Sequence, residues 1–427
     1  MGVAWRGSAK TLTPNHWRLL SMLGAASFFE GYDVNIVIVA LPQIRETFGL
    51  SQAQASLWIS VLYLGALPAM MLSRRADRRG RRSLLIVTIW GYTATTVATA
   101  VAPSIGAFVI LQFCARVFLI AEVAIAWTMI AEELPADARG FGFGALAMLS
   151  ALGTGLAALL YGLVLAPLGL SWRWLYVAAV PVLMLVIVLR RRLPESGRFS
   201  SAEREGRLAV KSSELLAPPH LRRLLLAASA LFLAELTTQA LIFVVDFMQT
   251  QHGMSPSAAN LMLIGAGGLA IPVLVFAGSL SDRYGRKRMA IAFLLISVVG
   301  PIVLFAFAQG VVALFAALTL TYVGSFGAWP TLGAYGSELF PTRLRALGGS
   351  VVGAAKVAGQ FSSFLLAGLL ISATGGIANA VVILSGGPVL AAVLTLALPE
   401  TMGKELEEIS EEDAAMAATE MAVGKPL

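Results

Sequence analysis

Twelve apolar stretches of about twenty residues, separated by short polar joints, fill this chain from residue 17 to residue 398, and that succession limits its fold more than any motif does. A helix needs about 20 residues to cross the hydrocarbon core of a bilayer. Only helices and closed barrels satisfy every backbone hydrogen bond there. The expected spans are 17–41, 52–73, 83–101, 105–131, 140–166, 172–190, 222–249, 256–280, 288–307, 310–336, 346–373 and 376–398. Composition agrees: 58% of the 427 residues are apolar and only 13% are charged, with a mean hydropathy of +0.80. A soluble chain carries about 25% charge. The expectation is an all-α protein of twelve transmembrane helices embedded in a lipid bilayer.

Several function classes drop out at once. One cysteine, Cys114, allows neither a disulfide framework nor a thiolate metal cluster. His16, His220 and His252 are far apart at segment edges, so no metal site and no cofactor is expected. No nucleophile–base pair is evident, and an enzyme is not expected. The net charge of +7 lies between hydrophobic segments and not on one soluble face, which argues for topology and against nucleic acid. Arg6 and Lys10 run straight into a span too long for a signal h-region, so no cleavable signal is expected.

Lysine and arginine positions set the orientation. Six arginines follow span 2 between Arg74 and Arg82, a long basic segment from Arg190 to Arg223 follows span 6, and Arg283, Arg286, Lys287 and Arg288 follow span 8. The joints after spans 3, 7, 9 and 11 carry no lysine or arginine, and the joint after span 1 carries only Arg45. Both termini are therefore expected in the cytoplasm, and the membrane is expected to be a bacterial inner membrane.

The chain also repeats itself. DRRGRR at Asp77–Arg82 recurs as DRYGRK at Asp282–Lys287, and Pro194-Glu195-Ser196 recurs as Pro399-Glu400-Thr401; each offset is 205 residues (282 − 77 and 399 − 194). Glu132, Pro135 and Arg139 recur as Glu338, Pro341 and Arg345 with the same internal spacing. The expected organisation is an N-terminal six-helix bundle over 1–192, a cytoplasmic linker over 193–221, a C-terminal six-helix bundle over 222–398 and a cytoplasmic tail over 399–427. Parallel repeats of this kind are a transporter architecture in which one half rocks against the other.

The doubled D-R-x-G-R-[RK] loops, Arg116 in span 4, Trp172-Arg173-Trp174 and both Pro-Glu motifs resemble the major facilitator superfamily over about residues 17–410. Glu30-Gly31-Tyr32-Asp33 resembles the D-G-F-D signature of aromatic acid:proton symporters. PETMGKELEEI at Pro399–Ile409 and PESGRF at Pro194–Phe199 resemble sugar-porter and organic-ion-transporter motifs. Span 7 lacks the paired glutamines of sugar porters, span 5 lacks the Gly-Pro motif of drug:proton antiporters, and Ser73 stands where the family usually has glycine, while Gly278 keeps it. The resemblance implies the major facilitator fold, acting as a monomer. In the loops, an aspartate can cap a neighbouring helix, and arginines can pair with Glu132, Glu133 or Glu338 in one gate state only. Asp77, Gly80, Arg81, Glu132, Arg139, Asp282, Gly285, Arg286, Glu338 and Arg345 are the expected gating residues; plain positive-inside topology is the alternative for the loop arginines.

Charges at membrane depth are expensive, about 2.5–3.5 kcal/mol on insertion scales, and mark function by default. At about 1.5 Å per residue, Asp33 lies about 12 Å and Glu30 about 16 Å from the end of span 1, and Arg116 about 16 Å from the same side of span 4. Glu30 and Asp33, three apart, share a helix face. Two carboxylates beside one arginine can hold a proton whose affinity depends on where the guanidinium stands. Glu30, Asp33, Arg116 and Glu122 are the expected proton-coupling residues; a permanent ion pair, or a packing role for Glu122, is the alternative.

Lys356 lies deep within span 11, too far in to snorkel easily. Its position resembles the span-11 cation of organic anion transporters, and a substrate carboxylate is its natural partner. Glu235, at similar depth in span 7, is the competing one. Tyr322, Phe326 and Trp329 fall on one face of span 10, followed by Pro330, where a kink is expected. With Tyr32 and Arg116 these complete the expected substrate contacts, a flat apolar ligand body lying between rings; plain packing is the alternative for the aromatic stripe. Asp246, nearer the span end, reads as a gate or surface charge. The expected function is a proton-coupled symporter of small organic anions, aromatic or other monocarboxylates, working by alternating access. A drug or metabolite efflux antiporter, a sugar or polyol symporter, and a non-transporting membrane sensor are the rivals.

Overall fold

A computed structural model describes residues 12–79, 81–135, 138–190, 218–340 and 344–401. Among the described residues all regular structure is helical and falls into twelve spans. These are α1 (Pro14–Phe48), α2 (Gln52–Tyr63 continued by Ala66–Arg79), α3 (Arg81–Ala100), α4 (Ile105–Glu133), α5 (Arg139–Leu160 with a π-helical turn Tyr161–Leu165) and α6 (Arg173–Arg190). Then come α7 (Pro218–Ala234, a 3-10 turn Glu235–Thr237, and Thr238–His252), α8 (Pro256–Tyr284), α9 (Arg286–Ile302 with a π-helical turn Val303–Phe307), α10 (Gly310–Glu338), α11 (Arg345–Thr374) and α12 (Ile377–Leu384 with Gly386–Leu396). Eleven of these stretches are long and apolar enough to cross a membrane; α6, 18 residues long, stands at the sixth expected span.

Helix ends follow local chemistry. Thr13 starts α1 with a reciprocal cap: its hydroxyl accepts from the His16 amide at 3.4 Å, and its own amide donates to His16 Nδ1 at 3.2 Å. Pro14 at the first helical position needs no amide partner. The helix passes through Pro42 and runs on to Phe48, well beyond the expected residue 41, stopping at Gly49 with φ +64°, a left-handed conformation that glycine adopts without strain.

By their contacts the residues form two compact units, Met1–Arg207 with Ile242–Ile264, and Leu208–Leu241 with Gly265–Leu427. Sequence reasoning places the division within 193–221; the units add a second division inside α7 and α8, because Ile242–Ile264 packs with the first half.

In the first unit α1 lies along α5, and α3 along α4 and α6. The α1–α5 contact is backbone on backbone. A Cβ on Gly31 would stand 1.8 Å from the Ser150 carbonyl oxygen, and one on Gly153 would stand 1.8 Å from that of Phe28. Asn35 Nδ2 donates to the Thr154 carbonyl at 2.7 Å, and the Thr154 hydroxyl donates to that of Gly31 at 3.2 Å. Close approach through small residues with interhelical hydrogen bonds is how helices associate where lipid removes the hydrophobic drive. This contact fixes the rotation of α1, and so the direction of Glu30 and Asp33.

The second unit uses the same device. α9 lies along α10, and α7 lies along α11 and α12. A Cβ on Gly359 would stand 2.4 Å from the Phe232 carbonyl oxygen, and one on Gly387 would stand 2.5 Å from that of Leu233. Phe293, Leu294, Phe340 and Leu344 anchor its apolar core.

Candidate functional site

Within the first unit, Glu30 and Asp33 on α1 share an electrostatic neighbourhood with Arg116 on α4. Asp33 is 3% exposed and Glu122 2%; Glu30 and Arg116 are half-buried. The Arg116 charge acts on both Glu30 and Asp33, and Glu122 acts on Glu30. The Arg116 guanidinium also lies over the Tyr63 ring, 5.6 Å from its centroid. The four residues proposed from sequence for proton coupling are thus one electrostatic cluster. Tyr92 on α3 and Tyr176 on α6 belong to it as well, since Asp33 bears on both. Sequence reasoning missed them, because a tyrosine in an apolar span carries no charge to mark it.

Tyr32, expected among the substrate contacts, is buried here. Its ring is 2% exposed, and its hydroxyl donates to the Leu175 carbonyl at 2.8 Å. It fastens α1 to α6. Side-chain direction depends on helix rotation, which spacing alone does not supply. Asp246 is also no surface charge. It is fully buried in an ion pair with Arg45 and accepts from Gln52 Nε2 at 2.7 Å, all within the first unit.

Within the second unit, α7, α10 and α11 assemble a different site. Lys356 Nζ lies 3.9 Å from Glu235 Oε1 and 3.9 Å from the centroid of the Trp329 ring. The ammonium therefore has a carboxylate on one side and an aromatic face on another, a favourable pairing for a desolvated cation. Glu235 stands in the 3-10 turn of α7. Its Oε2 accepts from Gln360 Nε2 at 3.0 Å and from the Thr238 hydroxyl at 2.9 Å. Gln360 is one turn beyond Lys356, and Thr238 one turn beyond Glu235, so both partners come from the same helix faces. Trp329 is 54% exposed. Tyr322 and Phe326, half-buried, continue the aromatic face with ring centroids 5.3 Å apart. The helix α10 is continuous through Pro330. Lys356 stands with Glu235, the competing partner expected from sequence, and with the aromatic stripe.

Of the expected gating residues, Gly285 and Arg286 are described. Gly285 precedes α9 with φ +107°, and a Cβ there would meet Glu400 Oε2 at 2.9 Å. The Glu400 carboxylate caps α9, accepting from the amide of Arg286 at 2.9 Å and of Lys287 at 3.2 Å. An anion at a helix N-terminus satisfies free amides and the helix dipole together. The second Pro-Glu motif thus caps α9. Arg286 Nη1 donates to the Ser281 hydroxyl at 2.9 Å. Gly80, and the side chains of Asp77, Arg81, Glu132, Arg139, Asp282, Glu338 and Arg345, lie outside the described residues.

The model of the Major Facilitator Superfamily matches residues 23–234 and 227–426. A Bacillus subtilis protein named for niacin/nicotinamide transport is 25% identical over 353 residues, covering 82% of this chain and 87% of its own length. A Cupriavidus pinatubonensis protein named for 4-methylmuconolactone transport is 27% identical over 424 residues, covering 92% of each chain. The crystal structure of a D-xylose-proton symporter superposes with a TM-score of 0.76 at 18% identity, covering 91% of this chain and 99% of that one, a likeness of fold.

Proposed function

This chain belongs to the major facilitator superfamily, whose members are membrane transporters and not enzymes, and on that footing we propose that it is a proton-coupled symporter of small organic anions, aromatic or other monocarboxylates, working by alternating access. The observation that carries the reading is Lys356, an ammonium held at membrane depth between Glu235 and the exposed Trp329 ring. A buried cation requires an anion nearby. Glu235 supplies one in the absence of substrate, and an incoming carboxylate competes for the same ammonium while its apolar body lies along Trp329, Phe326 and Tyr322. The relatives named for niacin and for 4-methylmuconolactone transport support a small organic solute.

Proton coupling belongs to the first unit in this reading. Asp33 and Glu30 bind the proton, and the Arg116 guanidinium adjusts how firmly it is held. Glu122, buried on α4, is its next acceptor. The Lys/Arg distribution supports an inner-membrane orientation with both termini cytoplasmic.

Calorimetry on purified protein tests the substrate charge. Removing the cation leaves the substrate carboxylate desolvated and unpaired, a loss of about 2–5 kcal/mol. Lys356→Gln should weaken carboxylate binding by at least about tenfold, Lys356→Arg should keep part of it, and neutral analogues should bind as before. Unchanged carboxylate affinity in Lys356→Gln would remove the argument for an anion and favour a neutral solute.

A further inference from the structure

Tyr92, Thr96 and Thr99 recur at i, i+4 and i+7 along α3 and so share one face. All are deeply buried, Tyr92 at 1% exposure and both threonines at 0%. The face starts at Asp33. The Tyr92 hydroxyl stands beside both the Asp33 carboxylate and the Thr96 hydroxyl, yet no bond of ordinary geometry joins it to either. Asp33 Oδ1, Tyr92 Oη and Thr96 Oγ1 are each buried without a direct hydrogen-bond partner. Further along, the Thr99 hydroxyl accepts from Gln112 Nε2 at 3.2 Å, which carries the polar line onto α4 near the Ala100 end of α3.

Buried polar groups are nearly always bonded to protein or to ordered water. Neighbouring buried oxygens left without such a bond are where a bridging water is expected. Three such oxygens in succession, beginning at a carboxylate, therefore form a site for a short row of waters. From Tyr92 to the helix end the rise is about 12 Å. The other ionisable groups around Asp33 are Glu30 and Tyr32 on α1, Arg116 and Glu122 on α4, and Tyr176 on α6. The α5 stretch packed against α1, Phe141–Leu160, carries none. The α3 hydroxyls lead away from this cluster between helices of the first unit.

We propose that the seam Asp33–Tyr92–Thr96–Thr99, with Gln112, holds ordered water and conducts protons between Asp33 and the Ala100 end of α3, so that Tyr92 and Thr96 are proton-relay residues. The inference rests on the proton-coupled reading above. In each hop a proton from hydronium joins the next water or hydroxyl oxygen while that oxygen passes its own proton onward. The last proton joins the Asp33 carboxylate, and release runs the same steps in reverse with no other bond changed.

The probe is the proton itself. Full-length protein in lipid nanodiscs is taken through a pH jump while infrared absorption follows the carboxylic-acid C=O band of Asp33, identified by its loss in Asp33→Asn. Thr96→Val preserves side-chain shape and removes the hydroxyl; it should slow the appearance of the band by at least about tenfold while leaving its final amplitude unchanged. Tyr92→Phe should act in the same direction, and Thr96→Ser should restore the wild-type rate, which a packing role would not. Wild-type rates in both Thr96→Val and Tyr92→Phe overturn the seam while leaving Asp33 as a proton site. A wild-type protein with no Asp33 band at any pH overturns both the seam and the coupling reading.

Discussion

Two anions compete for one cation at Lys356, one of them built into the protein. Gln360 and Thr238 hold Glu235 beside the ammonium. Replacing Glu235 with glutamine keeps both hydrogen bonds feasible while removing the rival charge. Glu235→Gln should therefore tighten carboxylate binding by about fivefold or more, the effect of a coupling near 1 kcal/mol, as read by calorimetry. Weaker binding would mean that Glu235 contacts the substrate itself. At this scale the sequence shows charge and hides direction. Lys356, Glu235, Glu30 and Asp33 stand out as charges in apolar runs, and the offset of 205 residues between the repeated loops also relates Glu30 to Glu235 (235 − 30). The Trp329 ring beneath Lys356 was not legible as such, since the two residues sit on different helices. The tie from Tyr32 to Leu175 was hidden for the same reason.

Among the elements, all twelve spans were legible because about 20 apolar residues are a physical requirement. Their interruptions were not. The break of α7 at Glu235 and the joint in α12 near Ser385 arise from packing, and no proline marks the first. The glycines that bring α1 and α5 into backbone contact carry a stability prediction. A methyl on Gly31 falls 1.8 Å from the Ser150 carbonyl, so Gly31→Ala must push the helices apart. Overpacking of this kind costs about 1–3 kcal/mol and should lower the thermal unfolding midpoint in detergent by several degrees. Gly155→Ala, which meets nothing within 4 Å, should leave it unchanged. Equal midpoints for the two variants would contradict the contact. Because the same contact aims Asp33, Gly31→Ala should also impair proton-driven transport more than its stability loss explains.

For the whole molecule, the repeat and the lysine and arginine distribution were legible from residue identity alone, whereas the assignment of Ile242–Ile264 to the first unit was not, since it depends on contacts distant in sequence. Orientation is tested directly. In a chain with Cys114 replaced by serine, Ser212→Cys should react with an impermeant thiol reagent from the cytoplasmic face and His252→Cys from the opposite face. Reaction of both from one side would reverse the topological argument. The central claim, that proton movement drives uptake of an organic anion, is decided in proteoliposomes given an inward proton gradient and a radiolabelled aromatic carboxylate that binds the purified protein. The wild type should accumulate the carboxylate above its external concentration. Asp33→Asn should abolish that accumulation while still exchanging labelled for unlabelled carboxylate across the membrane. Accumulation that survives in both Asp33→Asn and Glu30→Gln, or that never depends on the proton gradient in the wild type, would contradict the account.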